Sequence, residues 1–355
     1  MNLNVKLFFK RKSELLLLVL MAFALVSCSK DDDTTIPESN ALNEAIMYPF
    51  SHYGYPCGVI LDTDIGSSTD DLLAMHLLYR MMQVGQIDLK GIMVDREGLN
   101  FLRMADIMNT YYGFNNIPIG QVHDGAKDPN VYIDYWKMAD PITYTDEPVF
   151  ARTLTDEQLQ NTPAAEKLYR KILSESKDRS IIIVSLGFTT NLAHLLETGP
   201  DEYSPLTGVE LVRQKVALLS QMGGHLIDDD GAGYNFKNDK DNTRIVFDKW
   251  PTIILFSPSE TGDLFEYAPE TIFADLQAGN LTDSPIYHAY SHHNCNTGQC
   301  MWDVMTILHM TKPELFTFNG PYSSILMRTA SARPRTTAIQ IIIYHIRPMI
   351  TAPES

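Results

Sequence analysis

Four aspartates crowd one turn of this chain, and few folds can house them. In the run Val59-Ile60-Leu61-Asp62-Thr63-Asp64-Ile65-Gly66-Ser67-Ser68-Thr69-Asp70-Asp71-Leu72-Leu73-Ala74, an apolar strand leads into a turn made by Gly66 and three hydroxyl residues. Leu72, Leu73, Leu77, Leu78, Met81 and Met82 then recur at helical spacing, which places Asp70 and Asp71 in the first turn of a helix. A cap from Ser68 or Thr69, with two acids complementing the macrodipole for a few tenths to about 1 kcal/mol, accounts for the second pair. It leaves Asp62 and Asp64 unexplained. Those two end a strand, where open α/β sheets place their ligands. Aspartate oxygens with no His or Cys nearby suit Ca²⁺ or Mg²⁺ better than zinc.

Further strand-like runs alternate with helical ones: Gly91 to Val94, Ile117 to Gly120, Ile181 to Leu186, Val216 to Met222 and Ile253 to Phe256. No internal repeat interrupts them. The alternation predicts an α/β fold, an open, mostly parallel, doubly wound sheet with helices on both faces. The stretch from Pro321 to Pro353 breaks the pattern, because it lacks Asp and Glu while Arg328, Arg333, Arg335 and Arg347 accumulate. It reads as an edge strand with a tail or as sequence altered near the gene's end. The expected organisation is a domain over residues 51–320, followed by an atypical segment over 321–355.

Lys6, Lys10, Arg11 and Lys12 precede an apolar stretch from Leu15 to Leu25, then Leu25-Val26-Ser27-Cys28. That stretch is short for a membrane span. It resembles a bacterial lipoprotein signal over residues 1–28, with cleavage before a lipidated Cys28. Residues 29–50 read as a tether, and their Ser29-Lys30-Asp31-Asp32-Asp33 start resembles the acidic export tag of surface lipoproteins in the Bacteroidetes. The expected location is therefore the outer membrane or cell surface, with the membrane reached by the lipid anchor only. Removing residues 1–27 takes away four basic residues and one acid, which moves the net charge from −16 to about −19. So acidic a chain is repelled by phosphate backbones, which excludes nucleic acid polymers as partners. Cys57, Cys295 and Cys300 allow at most one disulfide, with Cys295 to Cys300 the nearest pairing.

Asp62-Thr63-Asp64-Ile65-Gly66 followed by Asp70-Asp71 is similar to the amino-terminal signature of the inosine-uridine-preferring nucleoside hydrolases, in a divergent form with a longer loop. Later segments keep the family's order: Gly91 to Arg96, Ser185 to Ala193, Met222-Gly223-Gly224 with Tyr234-Asn235-Phe236, and Trp302-Asp303. Together they span about residues 57 to 312.

The resemblance implies a Ca²⁺-dependent hydrolase that cleaves the N-glycosidic bond of small-molecule ribosides with an activated water. It makes Asp64 both a metal ligand and the base that takes the water's proton. Asp71, Asp303 and the main-chain carbonyl of Leu186 complete the ligand set, and Asp62 orients the loop from behind. Asp70 accepts from the 2′ hydroxyl, Asn235 binds the ribose, and Asp95 stands where the family has an Asn. Family members are often dimers or tetramers, so a homodimer or homotetramer enters as a partner.

Two departures stand out, one on the base side and one at the sugar's 5′ end. Trp302 replaces a His that in many members protonates the purine, and Gly233 replaces a Glu that meets the 5′ hydroxyl. Trp302 then stacks on the leaving base, while His225, His292 and His293 become candidates for the general acid. The segment Tyr132-Ile133-Asp134-Tyr135-Trp136 offers a roof over the site. Two other readings compete. Asp62-Thr63-Asp64 also reads as the nucleophile and acid of a haloacid-dehalogenase-type phosphatase, which has no use for Asp70-Asp71 or Trp302-Asp303. A non-catalytic, Ca²⁺-dependent sugar-binding surface lipoprotein would keep the sugar side and lose the base side.

Overall fold

The computed structural model describes residues 52, 54, 56–66, 68–127, 135–225, 233–267, 269–292, 299–322 and 341–346. Its main sheet has eight strands: β1 Cys57–Thr63, β2 Ile87–Val94, β3 Ile119–Gln121, β4 Ile181–Ser185, β5 Val216–Met222, β6 Ile253–Ser257, β9 Phe316–Tyr322 and β10 Ile341–Ile346. A two-stranded antiparallel pair, β7 Glu266–Tyr267 and β8 Gln299–Cys300, lies apart. The order across the main sheet is β3-β2-β1-β4-β5-β6-β10-β9. Every neighbouring pair is parallel except β10 with β9. The expected open, mostly parallel, doubly wound sheet is the one observed.

The strands form because their residues are apolar on both faces, as a sheet covered by helices on each side requires. Val59, Leu61, Ile182, Val184 and Leu218 face one core, shared with Leu72, Met75 and Leu78 of α1 Asp70–Gln83. The same core takes residues from α2 Leu99–Tyr112. Ile60, Ile183, Leu219 and Ile254 face the other core. There they meet α3 Ala165–Glu175, α4 Thr190–Glu197, α5 Gly208–Lys215 and, beyond the short α6 Gly233–Asn238, α7 Lys240–Lys249. The turn α8 Ser259–Asp263 follows β6, and α9 Pro269–Ala278 and α10 Pro285–His292 come next. The last described helix, α11 Trp302–Thr311, returns to α1 and the first core.

Topology fixes where chemistry happens. The chain lays β2 and β3 on one side of β1, then crosses to place β4 on the other. Loops leaving β1 and β4 therefore diverge and open a crevice at their carboxyl ends, the usual ligand position in such sheets. The stretch of unusual composition contributes backbone here, since β10 pairs with β6 through Ile341, Ile342 and Ile343. Residues 1–50 and the partner cysteine Cys295 lie outside the described residues. No described helix is long and apolar enough to cross a membrane.

Away from the crevice, the fully buried Arg170 of α3 ties down the chain between α4 and α5. Its Nε lies 2.7 Å from Asp201, and its guanidinium donates to Thr198 Oγ1 and to the carbonyls of Ser204 and Leu206 at 2.9 to 3.0 Å. Removing the cation strands those acceptors. We expect Arg170→Met to lower unfolding free energy by about 3 kcal/mol, read from a urea titration followed by circular dichroism.

Candidate active site and metal centre

At the crevice, β1 ends in a strand alternation that sends successive side chains to opposite faces. Asp62 points to the α3 and α4 side, where its Oδ2 accepts from Tyr169 OH at 2.8 Å and its Oδ1 from Asn191 Nδ2 at 3.1 Å. Burial lifts its carboxyl to about 7, and those two donors pull against the rise. Asp62 is thus tied at the β1 end to α3 and α4. Asp95, at the end of β2, is anchored by its own N–H to the Thr63 carbonyl at 3.0 Å. Neither of its buried side-chain oxygens has a donor. Burial, and then the charges of Asp62 and Asp64, push it well above the usual carboxylate range.

The loop to α1 needs a glycine at Gly66, whose φ is +122° and whose N–H donates to Tyr135 OH at 2.6 Å. A Cβ there would sit 2.4 Å from the Phe101 ring. Thr69 occupies the N-cap position without a side-chain cap bond, and Ser68 Oγ donates instead to the Asp70 carboxylate. Capping therefore does not explain these hydroxyls. Thr63 Oγ1 donates to Asp71 Oδ1.

Two helix N-termini converge at this point. Asp70 opens α1, Asp303 stands in the first turn of α11, and the N–H of Asp303 donates to Asp70 Oδ2 at 3.0 Å. One carboxylate oxygen each from Asp70, Asp71 and Asp303 all lie within 4.8 Å of one another. All three side chains are buried. Burial raises Asp70 to about 6, with the Asp303 N–H and Ser68 opposing. Asp71 and Asp303 are driven well above the ordinary range, first by burial and then by the charges of neighbouring aspartates.

Asp64 joins from β1 and is held differently. Arg96 Nε donates to its backbone carbonyl at 2.6 Å, and a guanidinium nitrogen meets its Oδ2 at 2.9 Å. The guanidinium lies 5.9 Å from the Phe101 ring centre and 5.4 Å from that of Phe188. Gly187 packs directly against Asp64, since a Cβ there would be 2.6 Å from the Asp64 Cβ and 2.7 Å from Asp95 Oδ2. The donor set fits a hard divalent cation. It offers clustered carboxylate oxygens, and the buried Asp71 Oδ2 has no hydrogen-bond partner.

Leu186 is fully buried as a side chain, and its carbonyl accepts from Asn235 Nδ2 at 2.9 Å. The same amide reaches Met222 Sδ at 3.3 Å. Asn235 therefore bridges the β4 and β5 ends. Tyr234 is partly exposed near Phe188, and Phe236 is buried in the second core. Trp302 borders the crevice beside Asp303, with its indole N–H donating to Asp263 Oδ1 at 2.8 Å.

Of the roof segment, Tyr135 and Trp136 are described, with Trp136 edge-on to Phe101 at 6.3 Å. Tyr132 to Asp134 lie outside the described residues, as do His293 and the side chain of His292. Arg96, Tyr169 and Asn191 gained no individual role from the sequence, and Tyr135 gained only a place in the roof segment. A lone Arg immediately after Asp95 at a strand end was the available signal for the first, whereas the others act across long separations that spacing does not reveal.

Solved structures with this architecture include a plant nucleoside hydrolase, 16% identical, with a TM-score of 0.58 over 81% of this chain and 94% of the plant protein. The inosine-uridine preferring nucleoside hydrolase of Bacillus anthracis is 16% identical, with a TM-score of 0.56 over 82% of this chain and 95% of its own. A purine-preferring ribonucleoside hydrolase of Gardnerella vaginalis gives 16%, 0.55, 81% and 92% respectively. At this identity they show a shared fold. No curated protein matches the chain. The model of the family described as inosine-uridine preferring nucleoside hydrolase matches residues 59–341, which takes in β1, the acidic cluster, Asn235, Asp303 and the start of β10. The chain belongs to this family of N-glycosyl hydrolases.

Proposed function

We propose that the protein is a Ca²⁺-dependent hydrolase of N-ribosides, working on small molecules salvaged outside the cell. The observation that carries this reading is the convergence of Asp70, Asp71 and Asp303 on one buried spot at the sheet's switch point, close enough to Asp64 for its charge to raise Asp71 and Asp303. Asp64, Asp71, Asp303 and the Leu186 carbonyl would hold the cation, a set of hard oxygens suited to Ca²⁺. When bound, the cation supplies a grip on the sugar's vicinal hydroxyls and favours ionisation of water.

The remaining work falls to the chain itself. Asp64 takes the proton of the attacking water, and its contact with Arg96 fixes which way the carboxylate faces. Asp70 accepts from the 2′ hydroxyl while anchored by the Asp303 N–H. Asn235 holds the ribose from the β5 side, and Asp95 supplies a polar wall behind Gly187. Orienting water and sugar in this way is worth several kcal/mol of the barrier. Trp302 presents an aromatic face to the leaving base. Cys28 would tether the enzyme to the outer membrane or cell surface, and a homodimer or homotetramer is in keeping with the family.

Reducing-sugar release from inosine, uridine and nicotinamide riboside tests the assignment. Turnover is expected with Ca²⁺ and lost with a chelator, and no release from any riboside would overturn it. Asp71→Ala should abolish the calorimetric signal of Ca²⁺ binding, a loss beyond the roughly 10- to 100-fold typical of outer partners. Asp70→Ala should weaken ribose binding more than Ca²⁺ binding.

The metal-free protein should lose stability as pH rises. Asp70 and Asp62 titrate near 6 and 7 when folded, against about 4 when unfolded. Between those limits the native state binds more protons, so unfolding free energy falls with rising pH. Thermal melts of the chelated protein should therefore drop from pH 5 to pH 7.5, and added Ca²⁺ should remove the drop. A melting point independent of pH would contradict the buried, uncompensated cluster.

Full-length protein expressed in a bacterial host should take up a palmitate label, and Cys28→Ser should abolish it. Persistent label in the variant would refute the anchor.

A further inference from the structure

One group of ionisable side chains beside the crevice has no part in holding sugar or cation. His225 follows β5 through Gly223 and Gly224, both in left-handed backbone at φ +146° and +71°. The turn is pinned to β6 and α8. Gly223 N–H donates to the Ser257 carbonyl at 3.0 Å, and Ser259 donates to the Gly224 carbonyl from both its N–H and its hydroxyl at 2.9 and 2.8 Å. The imidazole is thereby set between two carboxylates of α8, with Nδ1 3.4 Å from Glu260 Oε1 and Nε2 3.7 Å from Asp263 Oδ2. Its side chain is 20% exposed and that of Glu260 14%, so the ring is held in place yet reachable.

The second oxygen of Asp263 accepts from the indole of Trp302 at 2.8 Å. Gly262 packs on the same residue, since a Cβ there would be 2.6 Å from the Trp302 Cα. Trp302 precedes Asp303, whose carboxylate stands with Asp70 and Asp71. Because β1, β5 and β6 run parallel, the Trp302–Asp263–His225 group, in which His225 follows β5 and Asp263 follows β6, stands at the same edge of the sheet as the aspartates, where a sugar they grip would turn its base. A carboxylate stands beside each ring nitrogen, and an imidazole is a group that can hand a proton to a neighbouring acceptor.

From this arrangement we infer that His225 is the acid that protonates the departing base, with Glu260 and Asp263 as its positioning residues. The inference rests on the riboside-hydrolase reading above. In the step, the C1′–N bond breaks and its electron pair stays on the base, which takes a proton from His225. The oxygen of water bonds to C1′, and the proton it sheds goes to Asp64. Solvent then returns a proton to His225 and removes one from Asp64, so that riboside and water become ribose and free base.

Two substrates separate this role from a structural one. Inosine needs its base protonated, whereas 4-nitrophenyl riboside releases a stable anion unaided. In the holoenzyme with Ca²⁺, His225→Ala should lower kcat for inosine at least about a hundredfold more than kcat for the nitrophenyl riboside. Added imidazole should restore part of the inosine rate. Glu260→Gln, which leaves the ring and the turn in place, should shift the same ratio by about tenfold. Equal losses on both substrates, or no loss on inosine, would overturn the assignment to His225 while leaving the riboside reading intact. Wild-type enzyme inactive on both substrates would overturn that reading and this inference together. Unchanged Ca²⁺ calorimetry in each variant checks that the site has formed, and if His225→Ala fails that check, the ratio in Glu260→Gln decides alone.

Discussion

A hydrogen bond joins the two halves of this site, from the N–H of Asp303 to the carboxylate of Asp70 across 233 residues of chain. It sits where two helices begin. Each N-terminus offers unpaired N–H groups and a partial positive charge, so a carboxylate from one helix can be bound by the backbone of the other. Without that exchange, bringing Asp70, Asp71 and Asp303 into one buried place would set like charges against one another in a medium of low dielectric. The packing of α1 against α11 in the first core supplies the framework that keeps the two ends facing.

The same cluster is a store of unfavourable energy in the absence of a cation. Burial is the first cause of every raised carboxyl here, at Asp62, Asp70, Asp71, Asp95 and Asp303 alike. Neighbouring negative charge adds to it. Arg96 offsets part of that charge on the Asp64 side, wedged near two aromatic rings that keep water away. Proteins accept such local strain at sites whose ligand relieves it. The surrounding supports are correspondingly heavy: Tyr169 and Asn191 on Asp62, Thr63 on Asp71, Tyr135 on the Gly66 loop.

The sugar side and the base side of the crevice are built on different principles. Rigid strand ends and helix starts carry the aspartates and the Leu186 carbonyl, so their geometry is inherited from the sheet. His225 lies in the loop after β5, Asp263 at the end of the short α8 and Trp302 in the first turn of α11, around that frame. Loops tolerate replacement better than strand ends. Under the proposed reading, this is a physical reason for a chain to hold its metal-binding side fixed while the residues that meet the base change.

Local order along the chain was enough for the fold class and for most of the acidic cluster. The apolar run into Asp62 and Asp64, the Gly66 turn and the helical spacing after Asp71 are short-range patterns, and each of the six strand-like runs became a strand. What spacing could not supply was direction. Which face Asp62 turns to, that Asn235 binds the Leu186 carbonyl and that Arg96 clasps Asp64 are settled by contacts between distant segments. The partnership of Trp302 with Asp263, and of both with His225, has the same origin. By itself the sequence determined the elements, because propensity and periodicity act within a few residues. Only the tertiary structure decided the partners, because burial forces each polar group to find one wherever the packed chain happens to bring it.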